Sequence, residues 1–494
     1  MIPVSINKLA FILPLSILTI NLQSIAQEVT DGAKYAQNIP LGTARSVGFG
    51  GALGSVGGDF GSLSVNPAGI GIYRSSEFLF TPSLRFSGNT GKYNGDEYSE
   101  SNVRFGLNNI GAVFTTTPNA NNYDRAKWKS TSFGFGLNRT ADFSRSYGYR
   151  GKNSSNSVSQ YFENDALNYP NSTSSDEGTP AYMGYQSYLL DNNYYSNVPI
   201  KQGLGQQKTI QEKGGITEMV ISGGGNYMDK LMIGGTLGIN FLTHKYKSLM
   251  YEETIDPNAS NVFDYLRYTE QFKTTGTGIN AKLGIIYKVN EYFRAGVAFH
   301  TPTLYTLTDN YSRSLTVESK SLAGLNTITA PENQFEFTYI SPFKTVLSGT
   351  GMLGKFGFVS VDYELVSYGT MRYRSEDDQQ FQDSRNQQIK DLMKTASNIR
   401  VGTELRFDNF RVRAGYGFYG SPYKNDLYQN NRSNISFGLG YRFDNAFLDV
   451  AIINSSYKTF EQPYILDDNY YTQPNTASIN NSLTQGMVTI GWKF

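Results

Sequence analysis

The stretch Met487-Val488-Thr489-Ile490-Gly491-Trp492-Lys493-Phe494 decides the fold. A strand has period two, so Val488, Ile490, Trp492 and Phe494 share one face. Met487, Thr489, Gly491 and Lys493 share the other. One face is apolar with aromatic ends; the other is small or polar. The alternation recurs upstream. Ile435, Phe437, Leu439, Tyr441 and Phe443 oppose Ser436, Gly438, Gly440 and Arg442. Val412, Ala414, Tyr416 and Phe418 oppose Arg411, Arg413, Gly415 and Gly417, and Val359, Val361, Tyr363 and Leu365 oppose Ser360, Asp362 and Glu364. A soluble sandwich shares this pattern, with its apolar face turned into a core. In a membrane barrel the apolar face meets lipid while Arg, Asp and Glu pair inside. A charge on the lipid face near the midplane costs ~2–4 kcal/mol, which gives the segregation an energetic reason.

Composition points the same way. The 494 residues include 36 Tyr, 31 Phe and 50 Gly, a load that suits one lipid face and one wet face. The formal net charge is +1, so the chain has no basic footprint for nucleic acid. The absence of cysteine excludes disulfides, thiolate nucleophiles and iron–sulfur clusters. With only His244 and His300, a histidine metal site or haem ligation is hard to build, so neither cofactor nor metal is expected.

Behind Lys8, the run from Leu9 to Ile20 is almost wholly apolar, yet far shorter than the ~20 residues of a spanning helix. Ser24-Ile25-Ala26 then supplies small residues for a signal peptidase, so residues 1–26 read as a secretory signal peptide. No later segment reaches ~18 continuous apolar residues. An exported chain of this kind is either soluble outside the inner membrane or a barrel. The leader, the aromatic load and the aromatic-ended strand favour the barrel.

The expected fold is therefore all-β: a transmembrane antiparallel barrel over 75–494, with roughly 14 to 16 strands. One candidate strand covers 128–140, and 265–288 has length for one strand or two. Polar, low-complexity loops are expected at 307–334, 369–396, 421–431 and 458–483, and above all at 141–215. Asp377 to Met393 has helical character. Asp408-Asn409 and Asp444-Asn445 suit short periplasmic turns. Pro82, Pro302, Pro342 and Pro422 cannot donate to a ladder and mark rims or bulges.

Residues 27–74 are Gly-rich and compact. They contain Gly42-Thr43-Ala44-Arg45-Ser46, Gly48-Phe49-Gly50-Gly51-Ala52, Gly57-Gly58-Asp59 and Asn66-Pro67-Ala68-Gly69. Asn66-Pro67 favours a turn, and the glycines permit close backbone approach inside a narrow lumen. These motifs resemble the FadL/TodX family of outer-membrane transport proteins. So, patchily, do Ser341-Pro342 with Asp362-Tyr363, Arg400-Val401-Gly402-Thr403-Glu404, and Arg413-Ala414-Gly415-Tyr416-Gly417 followed by Ser421-Pro422-Tyr423. The long 141–215 insertion is unlike the compact outer loops of the best-known members.

The resemblance implies a barrel of about 14 strands plugged by an N-terminal hatch that includes Asn66, Pro67, Ala68 and Gly69. It implies passive outer-membrane transport of long-chain fatty acids or similar hydrophobic molecules, with lateral exit where the third strand kinks. Gly134 and Gly136 are the candidate kink, because glycine weakens strands and permits bulges. Trp492 and Phe494 resemble the signal by which the barrel-assembly machinery recognises its clients. The implied partners are a hydrophobic substrate and outer-membrane lipid, and the implied state is a monomer.

Other readings remain at this point. Asn66-Pro67 also fits a static plug or an ordinary turn. A general porin would lack a plug; a surface adhesin would place its function in 141–215. A barrel hydrolase needs a nucleophile and a base in reach, and His244, His300 or the Asp362/Glu364 pair would have to serve. Charged clusters inside barrels are mostly structural counter-charges.

Overall fold

The computed structural model describes residues 29–37, 41–256, 263–319, 324–425, 431–467 and 470–494. The signal peptide expected over 1–26 lies outside the described residues.

The sheet is a closed antiparallel barrel of 14 strands. In chain order they are β1 (Glu77–Tyr93), β2 (Asp96–Thr116) and β3 (Trp128–Asp142, continued as Arg145–Asn153). Next come β4 (Leu204–Tyr227), β5 (Leu231–Thr254) and β6 (Tyr265–Lys288). β7 is Phe293–His300 continued as Leu304–Ser319, and β8 is Asn333–Ile340 continued as Lys344–Met352. The rest are β9 (Gly357–Ser367), β10 (Thr395–Phe407), β11 (Phe410–Tyr419), β12 (Arg432–Arg442), β13 (Ala446–Glu461) and β14 (Ala477–Lys493). Each strand pairs with its neighbour in sequence, and β1 pairs with β14 to close the ring. Closure pairs every strand with two neighbours, as a bilayer demands, and leaves an edge where β3 parts from β2 beyond Asn109.

The alternation sorts side chains as expected. Phe437 is 58% exposed and Leu439 62%, whereas Arg413 is 1% exposed and Asp449 fully buried. On β14, Trp492 is exposed and Met487 and Thr489 are buried, and Phe494 just beyond it is exposed. No helix among the described residues is long and apolar enough to cross a membrane. A closed barrel with this apolar belt crosses a bilayer with its strands, and its place is the bacterial outer membrane.

One rim carries short turns, including Met228–Lys230 and Asp408-Asn409, and is the periplasmic rim. Nearly all the long connections lie at the other rim. Its exception is Asn94-Gly95, whose positive φ angles (+48° and +95°) make a two-residue hairpin. The connection between β3 and β4 folds over the mouth as a cap that includes helices Ser159–Asn168 and Pro180–Gln186. Phe162, Met183 and Leu189 of the cap are buried with Leu266, Tyr268 and Leu315 of the wall. Glu252 accepts from the Val158 backbone (2.9 Å) and from Gln206 (2.7 Å), tying cap to rim.

Several loop expectations change. Arg145–Asn153 and the first half of β4 are strand, so the insertion proper is 154–203. Residues 307–319, 458–461 and 477–483 are strand as well, and 265–288 is one strand. The strands rise beyond the bilayer, where neither face meets lipid and the apolar alternation that marks them disappears. Gln379–Leu392 is helical, as its composition indicates.

Replacing Phe437 with arginine on the lipid face is expected to cost ~2–4 kcal/mol, read by denaturant unfolding in phospholipid vesicles. A cost near zero there means that this face does not meet hydrocarbon.

Candidate functional site

The inner segment holds short helices: α1 (Val29–Ala36), α2 (Ala44–Gly48), α3 (Ser62–Val65) and a 3-10 turn, Pro67–Ile72. Thr43 caps α2, its hydroxyl accepting from the Ser46 backbone at 3.0 Å. Asn66 caps the 3-10 turn by accepting from Ala68 N at 3.1 Å, and Pro67 supplies the fixed φ of its first residue. The Asn66 amide also donates to Gly54 O (2.6 Å), Ile285 O (3.3 Å) and Val297 O (3.4 Å). One side chain thus ties two parts of the inner segment to β6 and β7.

Glycines in the wall receive this segment. Gly224, Gly234 and Gly284 stand side by side on β4, β5 and β6. A Cβ on any of them would strike Ile70, Pro67 or Asn66. Gly402 and Gly415, paired across β10 and β11, lie against the backbone of Phe49 and Gly50. Gly111 and Gly136, paired across β2 and β3, lie under the Phe60 ring, and Gly134 faces Leu63. The wall is thinned to bare backbone wherever the inner segment presses on it.

Charge fixes the segment in a third way. Arg45 of α2 pairs with Glu404 of β10 at 3.0 Å and donates to Gly58 O at 2.8 Å. Arg413 of β11 pairs with the same Glu404 (2.8 Å) and with Asp449 of β13 (2.7 Å), which also holds Arg442 at 3.0 Å. Asp59 accepts from the Thr43 hydroxyl (2.8 Å) and from Gly61 N (2.8 Å). Asp362 accepts from Gly54 N at 3.0 Å. Glu364 accepts from Asn398 (2.7 Å) and Arg400 (3.2 Å). The Asp362/Glu364 pair is thus a structural counter-charge.

Above this polar layer, α1 sits in an apolar chamber with Phe143, Tyr305, Leu307, Phe337, Tyr339 and Phe381. Tyr339 donates to Gly32 O at 2.6 Å, Tyr35 OH lies 3.0 Å from His244 Nδ1, and Lys344 donates to Ala36 O at 2.7 Å. Gly32 has no room for a side chain because Tyr373 and Tyr339 cover it. The prolines build this chamber. The registers on either side place Pro302 opposite Pro342 at the interruptions of β7 and β8. There the inward parity changes from Ala298 and His300 to Tyr305 and Leu307 on β7, and from Lys344 and Val346 to Phe337 and Tyr339 on β8. A one-residue slip moves a whole strand face to the other side, so an aromatic face that would meet lipid lines the lumen instead.

The wall changes course at β3. Its ladder with β2 runs only from Thr116↔Thr131 to Asn109↔Asn138, while its pairing with β4 continues to Asn153. Beyond Asn138, β3 leans over the inner face of β1 and β2. Asn89 donates to Ser146 O (2.6 Å), Asn94 donates to Lys152 O (2.8 Å), and Arg85 pairs with Asp142 (2.9 Å). Val103 and Phe105 of β2, 60% and 72% exposed, lie on the stretch above Asn109 that β3 no longer pairs.

The anticipated hatch residues Asn66, Pro67, Ala68 and Gly69 are all buried and come together with the wall glycines. Gly134 and Gly136 lie inside the paired part of β3 and seat Leu63 and Phe60; the departure begins after Asn138. Trp492 lies over Phe80 and Phe78, and Phe494 exchanges two backbone bonds of 3.1 Å with Ser76. Sequence reading missed the chamber around α1. Its aromatic residues alternate as lipid-facing ones do; only the opposed prolines signal the reversal.

No protein-family model matches the chain, and no curated protein matches it. Solved structures do. The Pseudomonas putida toluene transporter TodX superposes with a TM-score of 0.54 at 13% identity, covering 93% of this chain and all of TodX. A Pseudomonas aeruginosa FadL homologue gives 0.54 at 10% identity over 92% of this chain and 99% of its own. The Ralstonia pickettii toluene transporter TbuX gives 0.51 at 14% identity over 94% and 100%. The chain has the FadL/TodX-type transporter fold, and these neighbours are transporters rather than enzymes.

Replacing Asn66 with alanine removes its amide bonds to Gly54, Ile285 and Val297. Losing buried hydrogen bonds costs ~1–3 kcal/mol, so amide exchange across 62–73 is expected to quicken by about tenfold or more while the strands stay protected. Unchanged exchange in that segment shows that Asn66 is not its latch.

Proposed function

We propose that this protein carries hydrophobic small molecules passively across the outer membrane, with residues 27–74 as a movable hatch and the β2–β3 break as a lateral exit. The observation that carries the reading is the apolar chamber, which the chain fills with its own α1. A chamber lined by Phe, Tyr and Leu favours an apolar guest, and a guest there competes with α1 for the same surface. Long-chain fatty acids and aromatic hydrocarbons both have the required character. No strand ladder bars the way between β2 and β3 above Asn109, so a molecule leaving the chamber sideways meets Val103 and Phe105 and then lipid.

The hatch is held by polar contacts that can exchange partners: the Asn66 amide, the Arg45–Glu404 pair and the Ser64–Glu218 bond of 2.7 Å. His244 and His300, the only candidates for the usual hydrolytic base, are engaged by Tyr35 OH and Val65 O. The sequence holds no G-x-x-x-x-G-K-[ST] motif, and in this reading flux follows the gradient. The protein works as a monomer, inserted by the barrel-assembly machinery that reads Trp492 and Phe494.

The hydroxyls of Ser55 in the hatch and Thr350 in β8 are 2.7 Å apart, close enough for a disulfide between cysteines placed there. The chain has no other cysteine to interfere. In proteoliposomes the oxidised S55C/T350C variant is expected to lose saturable uptake of a radiolabelled long-chain fatty acid, and reductant is expected to restore it. Equal uptake in both redox states removes hatch movement from the mechanism. Absence of uptake in the folded wild type moves the substrate to another apolar class.

A further inference from the structure

The outer wall of β4, β5 and β6 carries charges that the transport reading does not use. Lys213 is the register partner of Lys245, and Lys245 that of Lys273. All three are exposed, so three ammonium groups point outward in one row across adjacent strands. Lys247, exposed one row higher on β5, makes a fourth. Like charges placed directly opposite destabilise a sheet, and strands are only ~4.8 Å apart. Among the described residues none of the four lysines has an ion pair. Their outward neighbours Gln211, Gln271 and Asn310 are neutral. By contrast, Arg413 inside the barrel is paired with two acids, Glu404 and Asp449.

Height adds a second observation. Below the row, Leu237 and Phe241 on β5 and Ile279 and Leu283 on β6 are 43–67% exposed and belong to the lipid belt. Above it, on the same three strands, Gln207, Thr209, Leu249, Tyr251 and Arg267 line a groove of about 270 Å³. The Arg267 guanidinium lies over the Tyr251 and Tyr265 rings at 5.8 and 5.0 Å. Acyl-compatible surface, a cationic row and a polar-aromatic groove therefore stack in that order from the bilayer outward.

We infer that this stripe binds a phosphorylated glycolipid of the outer leaflet. Its acyl chains lie on the Phe241 and Leu283 surface, its phosphate groups on the Lys213, Lys245 and Lys273 row, and its outer sugars in the Tyr251 groove. Phosphate answers the row because one anion accepts from two or three ammonium groups at once and relieves their mutual repulsion. An exposed aromatic ring beside Gln, Thr and Arg is the surface on which a sugar stacks and hydrogen-bonds.

The test uses the full chain in detergent with a chelator present, titrated with diphosphorylated lipid A, a glucosamine-disaccharide lipid. The K213Q/K245Q/K273Q variant is expected to bind at least tenfold more weakly than wild type. K458Q, which removes an exposed lysine from β13 on another part of the wall, is expected to bind as wild type. Dephosphorylated lipid should bind wild type no better than the phosphorylated lipid binds the triple variant, and millimolar inorganic phosphate should not displace it. Heat-modifiable gel mobility confirms that each variant is a folded barrel; if the triple variant is not, K245Q alone is expected to lose at least threefold. Equal affinity in the lysine variants, or equal binding of the dephosphorylated lipid, overturns the site. Full displacement by inorganic phosphate reduces it to a free-anion site and overturns the glycolipid assignment.

Discussion

Arg413 is buried between Glu404 and Asp449, and through Glu404 it shares an acid with Arg45 of the inner segment. Removing charges from water is expensive, and a buried charge left alone costs several kcal/mol. The barrel has no choice about burying them. Lipid outside forces apolar residues outward, so every second residue of each strand points into a lumen that must then be neutralised and filled. Acids and bases contributed by adjacent strands neutralise one another across the ladder, and the inner segment supplies both the remaining partner and the filling. Wall, charges and inner segment are one solution to one solvent problem.

Size enforces the same constraint at a finer grain. A lumen ringed by 14 strands leaves little width for a folded segment, and the wall gives way by losing side chains altogether. The glycines come in registered sets: Gly224, Gly234 and Gly284; Gly402 and Gly415; Gly111 and Gly136. Each set lies under one contact of the inner segment. Since the sets are spread around the barrel, the segment is located from several directions at once. That makes its position well defined even though its helices are too short to be stable alone.

The parts of the fold that were legible in sequence are those where one face meets lipid. β12, β14 and their neighbours show clean alternation because lipid and lumen impose opposite demands on successive residues. Gln206, Gln207, Lys208 and Thr209 of β4 show none, because that height has water outside and the packed cap and polar rim inside. The turn at Asn66-Pro67 was legible through its local chemistry, and Ala68-Gly69 only through the family resemblance. Its partners Gly234 and Gly284 were not, since a strand glycine carries no sign of what presses on it. Gly136 illustrates the limit: read alone it marks a bend, but its position under Phe60 explains it by space. The chamber was hidden for a different reason. Phe337 and Tyr339 obey the alternation, and only the facing interruptions at Pro302 and Pro342 decide to which side that alternation points.

The closing seam between β1 and β14 has a consequence for biogenesis. Glu77 pairs with Lys493 and Lys92 with Ser478, so the ring is sealed by residues some four-fifths of the chain apart. The inner segment precedes β1, yet its seats are spread over β2 to β7 and over β10 and β11, and the full set does not exist as a surface until those strands have paired. Chain order and docking order therefore differ: a segment that precedes every strand is fully seated only once the later strands have paired. The β1–β14 ladder, paired over most of both strands, closes the wall around that segment. The seam is thus a clasp around contents that the whole ring holds, joined by two strands from opposite ends of the barrel's run of chain.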